Sequence, residues 1–308
     1  MRIGINGSSL VAIGAPLAQL ADHSAEAEAA GFSSYWVAQL LYPDALTAIA
    51  AIGSRTSTIE IGTAVIPTWP RHPLMLAAQA LTVQELIGNR LALGIGLAHK
   101  SSVESTLKIP FVSPAKHMEE YLAVLLPAMT DRKVSFTGDI WSAEVEAVSG
   151  AAAAEPPSVL LAAMGPRMLR LAGAHTAGSI LWLSGPKTVA NHIKPALDAA
   201  AAAAGRPSPR IVASVPVCVT RKPDDVRAVI AGILDGYNDL PSYRGVMDAE
   251  GAAGPADVSI VGSEDEVRAG IAAFADAGAT DFSALEFFTD ADEIAATRAL
   301  LTEVAAGG

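Results

Sequence analysis

The two stretches EIGTAVIPTWPRHP (Glu60–Pro73) and RLALGIGLAHK (Arg90–Lys100) decide the fold of this chain. Each begins with a nearly continuous series of apolar residues and ends in a loop that contains proline, glycine or histidine. A strand that is apolar at almost every position is buried on both faces, as in a parallel sheet covered by helices. Because an α/β barrel carries its chemistry where such strands end, both loops are predicted to belong to a functional site.

Outward from this pair, the chain alternates between short apolar segments and helical patterns. Eight strands are predicted, each followed by a helix: Arg2–Asn6, Ser34–Ala38, Thr58–Ile66, Arg90–Gly96, Ser158–Ala163, Ser179–Leu183, Arg210–Val219 and Asp281–Phe287. This count predicts an α/β fold, a (β/α)8 TIM barrel that forms one domain over residues 1–308. A doubly wound open sheet is the alternative, but eight repeats and the lack of Gly-x-Gly-x-x-Gly after the first strand favour the barrel.

Two segments interrupt the alternation and are predicted to be insertions after strands four and seven. The second, Pro241–Asp257, is predicted to be irregular. The first, Lys100–Pro157, is predicted to contain a helix, a hairpin and a loop, around His117–Met129, Val134–Trp141 and Ala151–Pro157. In a barrel, insertions at these positions would cover the open end, where the strands terminate.

Charge and composition argue against several classes of protein. The net charge is −11, and the chain from Pro223 onward holds 17 acidic and 4 basic residues, whereas a nucleic-acid partner requires a basic surface. No segment resembles a signal peptide or a membrane span, so a cytoplasmic protein without a membrane partner is predicted. No metal site is predicted, because the chain has one cysteine and no His-x-x-x-His pair or carboxylate cluster with ligand spacing.

Histidines follow both of the strands quoted above. His99 lies three residues beyond Gly96, where a barrel would direct it into the mouth and where it could exchange a proton near neutral pH. A hydrogen-bonded loop histidine is the alternative. His72 could contact a ligand or only shape the turn before a helix. The other four fall on predicted helices and are interpreted as structural or solvent-facing: His23, His117, His175 and His192.

Two neighbouring turns have features of a phosphate site. After the strand that ends at Ala163, Met164–Gly165 turns the chain and Pro166 fits the first position of a helix. The N–H groups at a helix start can bind an anion, and Arg167 could add a charge or simply face solvent. The next strand ends in a second Ser/Gly turn, Leu183–Pro186. An ordinary tight turn is the alternative at each place.

Small and aromatic residues at strand ends allow two interpretations each. Space for a flat ring or tight strand packing would explain the small residues Gly62, Thr63 and Ala64. An apolar pocket or the ordinary core would explain the tryptophans Trp36, Trp69 and Trp182.

Three stretches together, Gly62–Pro73, Arg90–Lys100 and Ala162–Ser179, resemble the bacterial luciferase-like monooxygenase superfamily. Within it, they are most similar to the branch that uses the deazaflavin coenzyme F-420, and the resemblance covers nearly the whole chain in order. It implies a (β/α)8 barrel with the coenzyme ring in its mouth. The implied activity is hydride transfer between coenzyme F-420 and a small organic substrate, and the implied assembly is a homodimer.

The resemblance also implies which residues act. A non-prolyl cis peptide that supports the ring would fall at Ala64–Val65, and the catalytic proton donor or acceptor would be His99. The phosphate would be held by the turn around Gly165 and by Ser184–Gly185. The implied coenzyme-binding positions are, in chain order, Asn6, Gln39, Thr63, Ala64, Val65, Gly96, Met164, Gly165, Arg167, Ser184 and Gly185.

The sequence departs from the family pattern at three places. Gln39 and Leu40 stand where many deazaflavin-dependent relatives carry an Asp-His pair, and Asn6 stands where some carry an acid. The lysines and arginines that bind a sugar phosphate in other relatives are not evident, so a sugar phosphate is not predicted. An FMN-dependent monooxygenase and a non-catalytic flavin or deazaflavin carrier therefore remain as alternatives, as does a non-redox barrel enzyme.

Overall fold

A computed structural model of the chain describes residues 1–147 and 154–307. The strands are β1 (Arg2–Asn6), β2 (Ser34–Val37), β3 (Glu60–Thr63), β4 (Ile66–Pro67), β5 (Leu91–Gly96), β6 (Val134–Thr137), β7 (Ser142–Val145), β8 (Ser158–Leu161), β9 (Gly178–Trp182), β10 (Arg210–Val219), β11 (Ile260–Gly262) and β12 (Asp281–Glu286). The helices are α1 (Ser8–Ala12), α2 (Leu17–Ala29), α3 (Ala45–Gly53), α4 (Pro73–Leu86), α5 (Pro114–Thr130), α6 (Pro166–His175), α7 (Pro186–Thr188), α8 (Lys194–Ala203), α9 (Pro223–Ile233), α10 (Pro241–Glu250), α11 (Glu264–Asp276) and α12 (Ala291–Ala306). A π-helical segment, Val189–Ile193, joins α7 to α8 without a break.

Eight strand positions close into a parallel barrel. β1 pairs with β2 on one side and with β12 on the other, and the series runs through β3, β5, β8, β9 and β10 back to β12. β3 and β4 share the third position, because β4 resumes the pairing with β5 after residues 64 and 65. Since every pairing within the barrel is parallel, the carboxyl ends of all eight strands lie at one end, the mouth of the barrel. The predicted TIM barrel is confirmed.

The strand-four insertion follows the prediction in outline. It carries α5 and an antiparallel hairpin in which β6 pairs with β7. The loop predicted at Ala151–Pro157 falls partly on residues 148–153, which lie outside the described residues.

The strand-seven insertion is more regular than predicted. The prediction of an irregular segment over Pro241–Asp257 is wrong, because this segment contains α10. Proline stands at the first position of the helix, and Gly251 ends it with a left-handed φ of 82°. The proline and the glycine at the two ends of this segment are therefore the start and stop signals of a helix.

A tryptophan fills part of the barrel interior. Trp36 on β2 is fully buried, and its indole N–H donates to Ser34 Oγ at 2.9 Å. A Cβ atom added at Gly62 on β3 would lie 2.3 Å from the Trp36 ring, so only glycine leaves room for it. Of the two interpretations of the small residues, tight strand packing therefore explains Gly62. Of the two interpretations of the tryptophans, the ordinary core explains Trp36.

An ion network closes the end of the barrel opposite the mouth. Arg210 donates to Glu60 at 3.0 Å and to Asp281 at 2.7 Å. Arg2 lies 3.1 Å from Glu60 and 3.2 Å from Asp281, whose side chain is 3% exposed. These four residues are the first residues of β1, β3, β10 and β12, so the network ties four barrel strands together.

Candidate active site

The predicted positions on β1, β3 and β5 meet at the mouth. Asn6 ends β1 and Gly96 ends β5, while Ala64 and Val65 fill the break between β3 and β4. The Ala64–Val65 peptide bond is cis, as the family resemblance implies. A Cβ added at Gly96 would lie 2.8 Å from Val65 and 3.0 Å from Ala162. Because Ala64, Val65 and Ala162 all pack against the cluster around Trp36, the floor of the mouth is apolar.

His99 lies on the loop after β5, at the same end of the barrel. The preceding residue, Ala98, has a left-handed φ of 57°, which is uncommon for a residue with a side chain. The His99 ring lies against two tyrosines, with centroids 5.9 Å from Tyr237, just before α10, and 5.6 Å from Tyr243, on α10. Burial lowers the pKa of His99. The imidazole is therefore neutral at neutral pH and can accept a proton.

The two tyrosines are functional candidates that sequence reasoning missed. Their rings lie edge to face, with centroids 4.7 Å apart, and Trp182 at the end of β9 lies 6.4 Å from Tyr237. Burial raises the pKa of both phenols, so each keeps its proton at neutral pH. Tyr243 lies on α10, and the helical pattern of that segment was the signal that could have indicated it. Trp182 is partly buried against the apolar cluster of Leu183 and Met247, so its pocket interpretation stays a prediction.

Asn6 is held in one orientation by bonds at the barrel end. Its Nδ2 donates to Ser214 Oγ at 3.0 Å, and its Oδ1 accepts from the backbone N–H of Ser8 at 3.0 Å. The Ser214 hydroxyl in turn donates to the carbonyl of Ser283 at 2.7 Å. Asn6 is thus a buried, oriented amide next to the mouth.

Two other predicted coenzyme contacts use their side chains within the protein. Gln39 accepts a hydrogen bond from the N–H of Ala45 at 2.8 Å and donates to the carbonyl of Leu40 at 2.9 Å, which holds the loop after β2. The buried hydroxyl of Thr63 donates to the carbonyl of Gly94 at 2.7 Å. The structure therefore favours structural roles for both side chains.

The turn after β8 is open at the start of a helix. Gly165 precedes α6, Pro166 takes the first helical position, and no side chain caps the helix. A Cβ added at Gly165 would meet no atom within 4 Å. The first N–H groups of a helix have no acceptor inside it, so those of the α6 first turn can bind an anion. Met164 is partly buried against the core, and Arg167 is exposed beside the turn.

The turn after β9 contains Ser184 and Gly185, both buried. The residue before them, Leu183, has a left-handed φ of 55°. The hydroxyl of Ser184 is buried without a hydrogen-bond partner within residues 1–147 and 154–307. An unpaired buried hydroxyl is costly, which marks Ser184 as a residue that a polar ligand would satisfy.

His72 and Trp69 follow β4 and pack against the strand-four insertion. His72 is the N-cap of α4, and its Nδ1 accepts from the N–H of Leu74 at 3.3 Å, in agreement with the turn-shaping interpretation. Trp69 is buried and stacks on His117 of α5, with ring centroids 3.8 Å apart. His72 also contacts Trp141 of that insertion, with ring centroids 5.3 Å apart.

A chain of hydrogen bonds runs from this insertion to the mouth. The indole N–H of Trp141 donates to His117 Nδ1 at 3.3 Å, so His117 carries its proton on Nε2, which lies 2.9 Å from Thr68 Oγ1. The Thr68 hydroxyl donates to the carbonyl of Gly96 at 3.3 Å. Burial lowers the pKa of the fully buried His117 to about 4. His117 is structural, as predicted, and its neutral form holds the insertion to β5.

Large apolar side chains are exposed on the loops that follow the strand ends. Ile13 follows β1, residues 40–42 (Leu-Leu-Tyr) follow β2, and Phe288 follows β12. They give the approach to the mouth an apolar character. Among the described residues, no group of three His, Cys, Asp or Glu side chains is placed to hold a metal, and no helix is long and apolar enough to cross a membrane.

By its fold, the protein is a TIM barrel whose candidate catalytic groups gather at the carboxyl ends of the strands, where enzymes with this fold carry out their reactions. The sequence profile of the luciferase-like monooxygenase family matches residues 3–281. The chain belongs to this family.

Three known proteins are similar to the chain in sequence or in fold. It is 30% identical over 198 residues to the F-420-dependent glucose-6-phosphate dehydrogenase of Intrasporangium calvum, covering 58% of each chain. The coenzyme F-420-dependent tetrahydromethanopterin reductase of Methanopyrus kandleri has a similar structure, with a TM-score of 0.81, 20% identity and coverage of 98% and 97%. The FMN complex of the oxygenating constituent of 3,6-diketocamphane monooxygenase from Pseudomonas putida has a TM-score of 0.78, 17% identity and coverage of 99% and 96%. The two structural likenesses concern the fold alone.

Proposed function

We propose that the protein is an oxidoreductase that transfers a hydride between coenzyme F-420 and a small organic substrate. The observation that carries this proposal is His99, a neutral imidazole packed against Tyr237 and Tyr243 at the mouth of a luciferase-like barrel. The named dependence on F-420 of the Intrasporangium calvum relative and of the Methanopyrus kandleri reductase supports the choice of coenzyme. A homodimer, implied by the family resemblance, is part of the proposal.

The residues at the mouth fit such a coenzyme. The uncapped start of α6 after Gly165 offers N–H groups to a phosphate, and the unpaired hydroxyl of Ser184 offers a further donor. The apolar floor formed by Val65 and Ala162 over Trp36 would lie beneath a flat ring. When bound, the coenzyme would supply the hydride chemistry, and the protein would bind, orient and exclude water.

His99 would manage the substrate proton. With a lowered pKa the imidazole is an available acceptor when the substrate is oxidised, and it returns the proton when the substrate is reduced. Tyr237 and Tyr243 would keep the ring in place and shield it from water, while both phenols stay protonated. The exposed apolar loops around the mouth suit an apolar substrate. The sugar phosphate of the Intrasporangium calvum relative is not part of this proposal.

An FMN-dependent monooxygenase is the second candidate. The Pseudomonas putida structure contains FMN on the same fold, which favours this alternative. The open turn at Gly165 would accept the phosphate of either coenzyme, so the two candidates differ in the ring that they bind and in their need for oxygen.

The test is a titration of the purified protein with oxidised coenzyme F-420 and, separately, with FMN, followed by fluorescence quenching. The proposal expects tighter binding of F-420, which justifies a substrate screen with the reduced coenzyme. The reverse preference would move the assignment to the monooxygenase. Binding without turnover of any substrate would favour a carrier, and binding of neither ring would remove the cofactor assignment.

A further inference from the structure

The carboxylate of Glu250 occupies the turn after β9. The backbone N–H groups of Thr188 and Lys187 donate to it at 2.7 Å and 3.2 Å. A Cβ added at Gly185 would lie 2.3 Å from the carboxyl carbon of Glu250, so the glycine lets the carboxylate approach the backbone. These N–H groups begin a continuous helical segment that runs to Ala203, and such groups favour an anion. The chain supplies this anion itself.

Further contacts attach α10 to the same turn. Glu250 is the last residue of α10, and one turn earlier the carbonyl of Val246 accepts from the hydroxyl of Thr188 at 2.9 Å. Beside these bonds, a buried apolar cluster joins the two segments through Leu183, Met247, Ala252 and Val258. The carboxylate contact is therefore part of a built interface between α10 and the turn after β9.

The same helix reaches His99. Tyr243 lies two turns before Glu250 on α10, and its ring contacts both the His99 imidazole and Tyr237. A helix is stiff over two turns, so the point at which Glu250 is attached determines where Tyr243 stands. The turn after β9 and the loop after β5 are thus connected through α10.

We propose that Glu250 is a positioning residue for His99: its carboxylate docks α10 on the turn after β9 and so holds Tyr243 against the imidazole. The proposal rests on the proposed function, in which His99 manages the substrate proton. It also assigns the coenzyme phosphate to the Gly165 turn and to Ser184, because the N–H groups of Lys187 and Thr188 are already bonded to Glu250.

Two variants test the docking by different routes. Glu250→Ala removes the carboxylate, whereas Gly185→Ala keeps it and displaces it with a methyl group at a position whose φ of −80° any residue can adopt. Hydrogen exchange of the Lys187 and Thr188 amides is expected to speed up about tenfold in both variants, the effect of losing one hydrogen bond. The ring-proton shifts of His99 in NMR spectra are expected to move toward those of a histidine without aromatic neighbours. Asp239→Asn, which removes an exposed carboxylate just before α10, should change neither signal.

Acetate distinguishes an anion contact from general loosening. In Glu250→Ala, added acetate is expected to restore amide protection and the native His99 shifts, and it should leave the native protein unchanged. In turnover assays of Glu250→Ala, kcat should fall while the coenzyme Kd stays constant, and added acetate should recover kcat. Unchanged amide exchange and His99 shifts in both variants would overturn the proposal. Faster amide exchange in Glu250→Ala that acetate does not reverse would overturn it as well. The exchange and NMR measurements use no coenzyme, so a failure of the proposed function is recognised separately.

Discussion

At the scale of the residue, His99 acquires its chemistry from side chains that are distant in the sequence. A histidine on an exposed loop would titrate near its ordinary pKa, but the rings of Tyr237 and Tyr243 exclude water and lower it. Asn6, which stands near the same mouth, can orient a ligand by hydrogen bonding but cannot take a proton. The proton chemistry of the proposed reaction therefore depends on one imidazole.

His99→Asn is expected to lower turnover by about 100-fold to 10,000-fold, the usual contribution of a general acid–base residue. Coenzyme binding should persist, because the phosphate turn and the apolar floor do not involve the imidazole. The measurements are steady-state turnover and a coenzyme titration of the same preparation. His72→Asn is the matched control, since asparagine is a good helix N-cap and His72 serves as one. Equal loss of turnover in both variants would contradict a special role for His99.

At the scale of the element, the strand-four insertion depends on a neutral histidine. His117 accepts a hydrogen bond from Trp141 and donates to Thr68, an arrangement that protonation of Nδ1 would break. Its pKa is about 4 in the folded protein, against an ordinary value of 6.5. Between these two values the unfolded chain binds more protons than the folded one, so stability falls as the pH decreases from 6.5 toward 4.

We expect this histidine to contribute up to ~3 kcal/mol to the loss of unfolding free energy across that range. Urea unfolding at a series of pH values, compared between the native protein and His117→Gln, isolates the effect as a difference in slope. The glutamine variant should lose less stability on acidification, although it starts from a lower value. His175→Gln, which replaces an exposed histidine on α6, should keep the native slope. Parallel curves for the native protein and His117→Gln would refute the assignment.

At the scale of the whole molecule, the barrel separates an ion network from the candidate active site. Arg2, Glu60, Arg210 and Asp281 tie four strands together at one end, and His99 with its tyrosines lies at the other. Removing one member of a nearly buried ion network leaves its partner charge incompletely paired, which costs more than losing an exposed ion pair.

Asp281→Asn is expected to lower the free energy of unfolding by about 1–3 kcal/mol, as measured by urea denaturation. Coenzyme affinity should not change, because the substitution lies at the end of the barrel opposite the mouth. Asp22→Asn breaks an exposed pair with Arg55 and should cost less than about 1 kcal/mol. A loss of coenzyme affinity in Asp281→Asn that matched its loss of stability would show that the two ends are coupled.

Most of the barrel could be predicted from local patterns. Apolar segments such as Arg2–Asn6 and Arg210–Val219 have the predicted bounds, because a strand buried on both faces shows this in its own residues. The helix start at Pro166 and the cis peptide at Ala64–Val65 also appear where they were expected, one from helix-start chemistry and one from the family resemblance. The position of His99 near the mouth follows from the end of β5.

The sequence by itself thus determined the order of the barrel strands and of most helices between them, the end of the barrel that carries the candidate site, and the loop of His99. Only the tertiary structure decided which distant side chains meet there: Tyr237 and Tyr243 on His99, Glu250 on the turn after β9, and Trp36 over Gly62. The physical reason is that periodicity and turn signals record how a residue relates to its neighbours in the chain. Contacts across a closed barrel depend on register and side-chain shape, which become defined only when the strands pair.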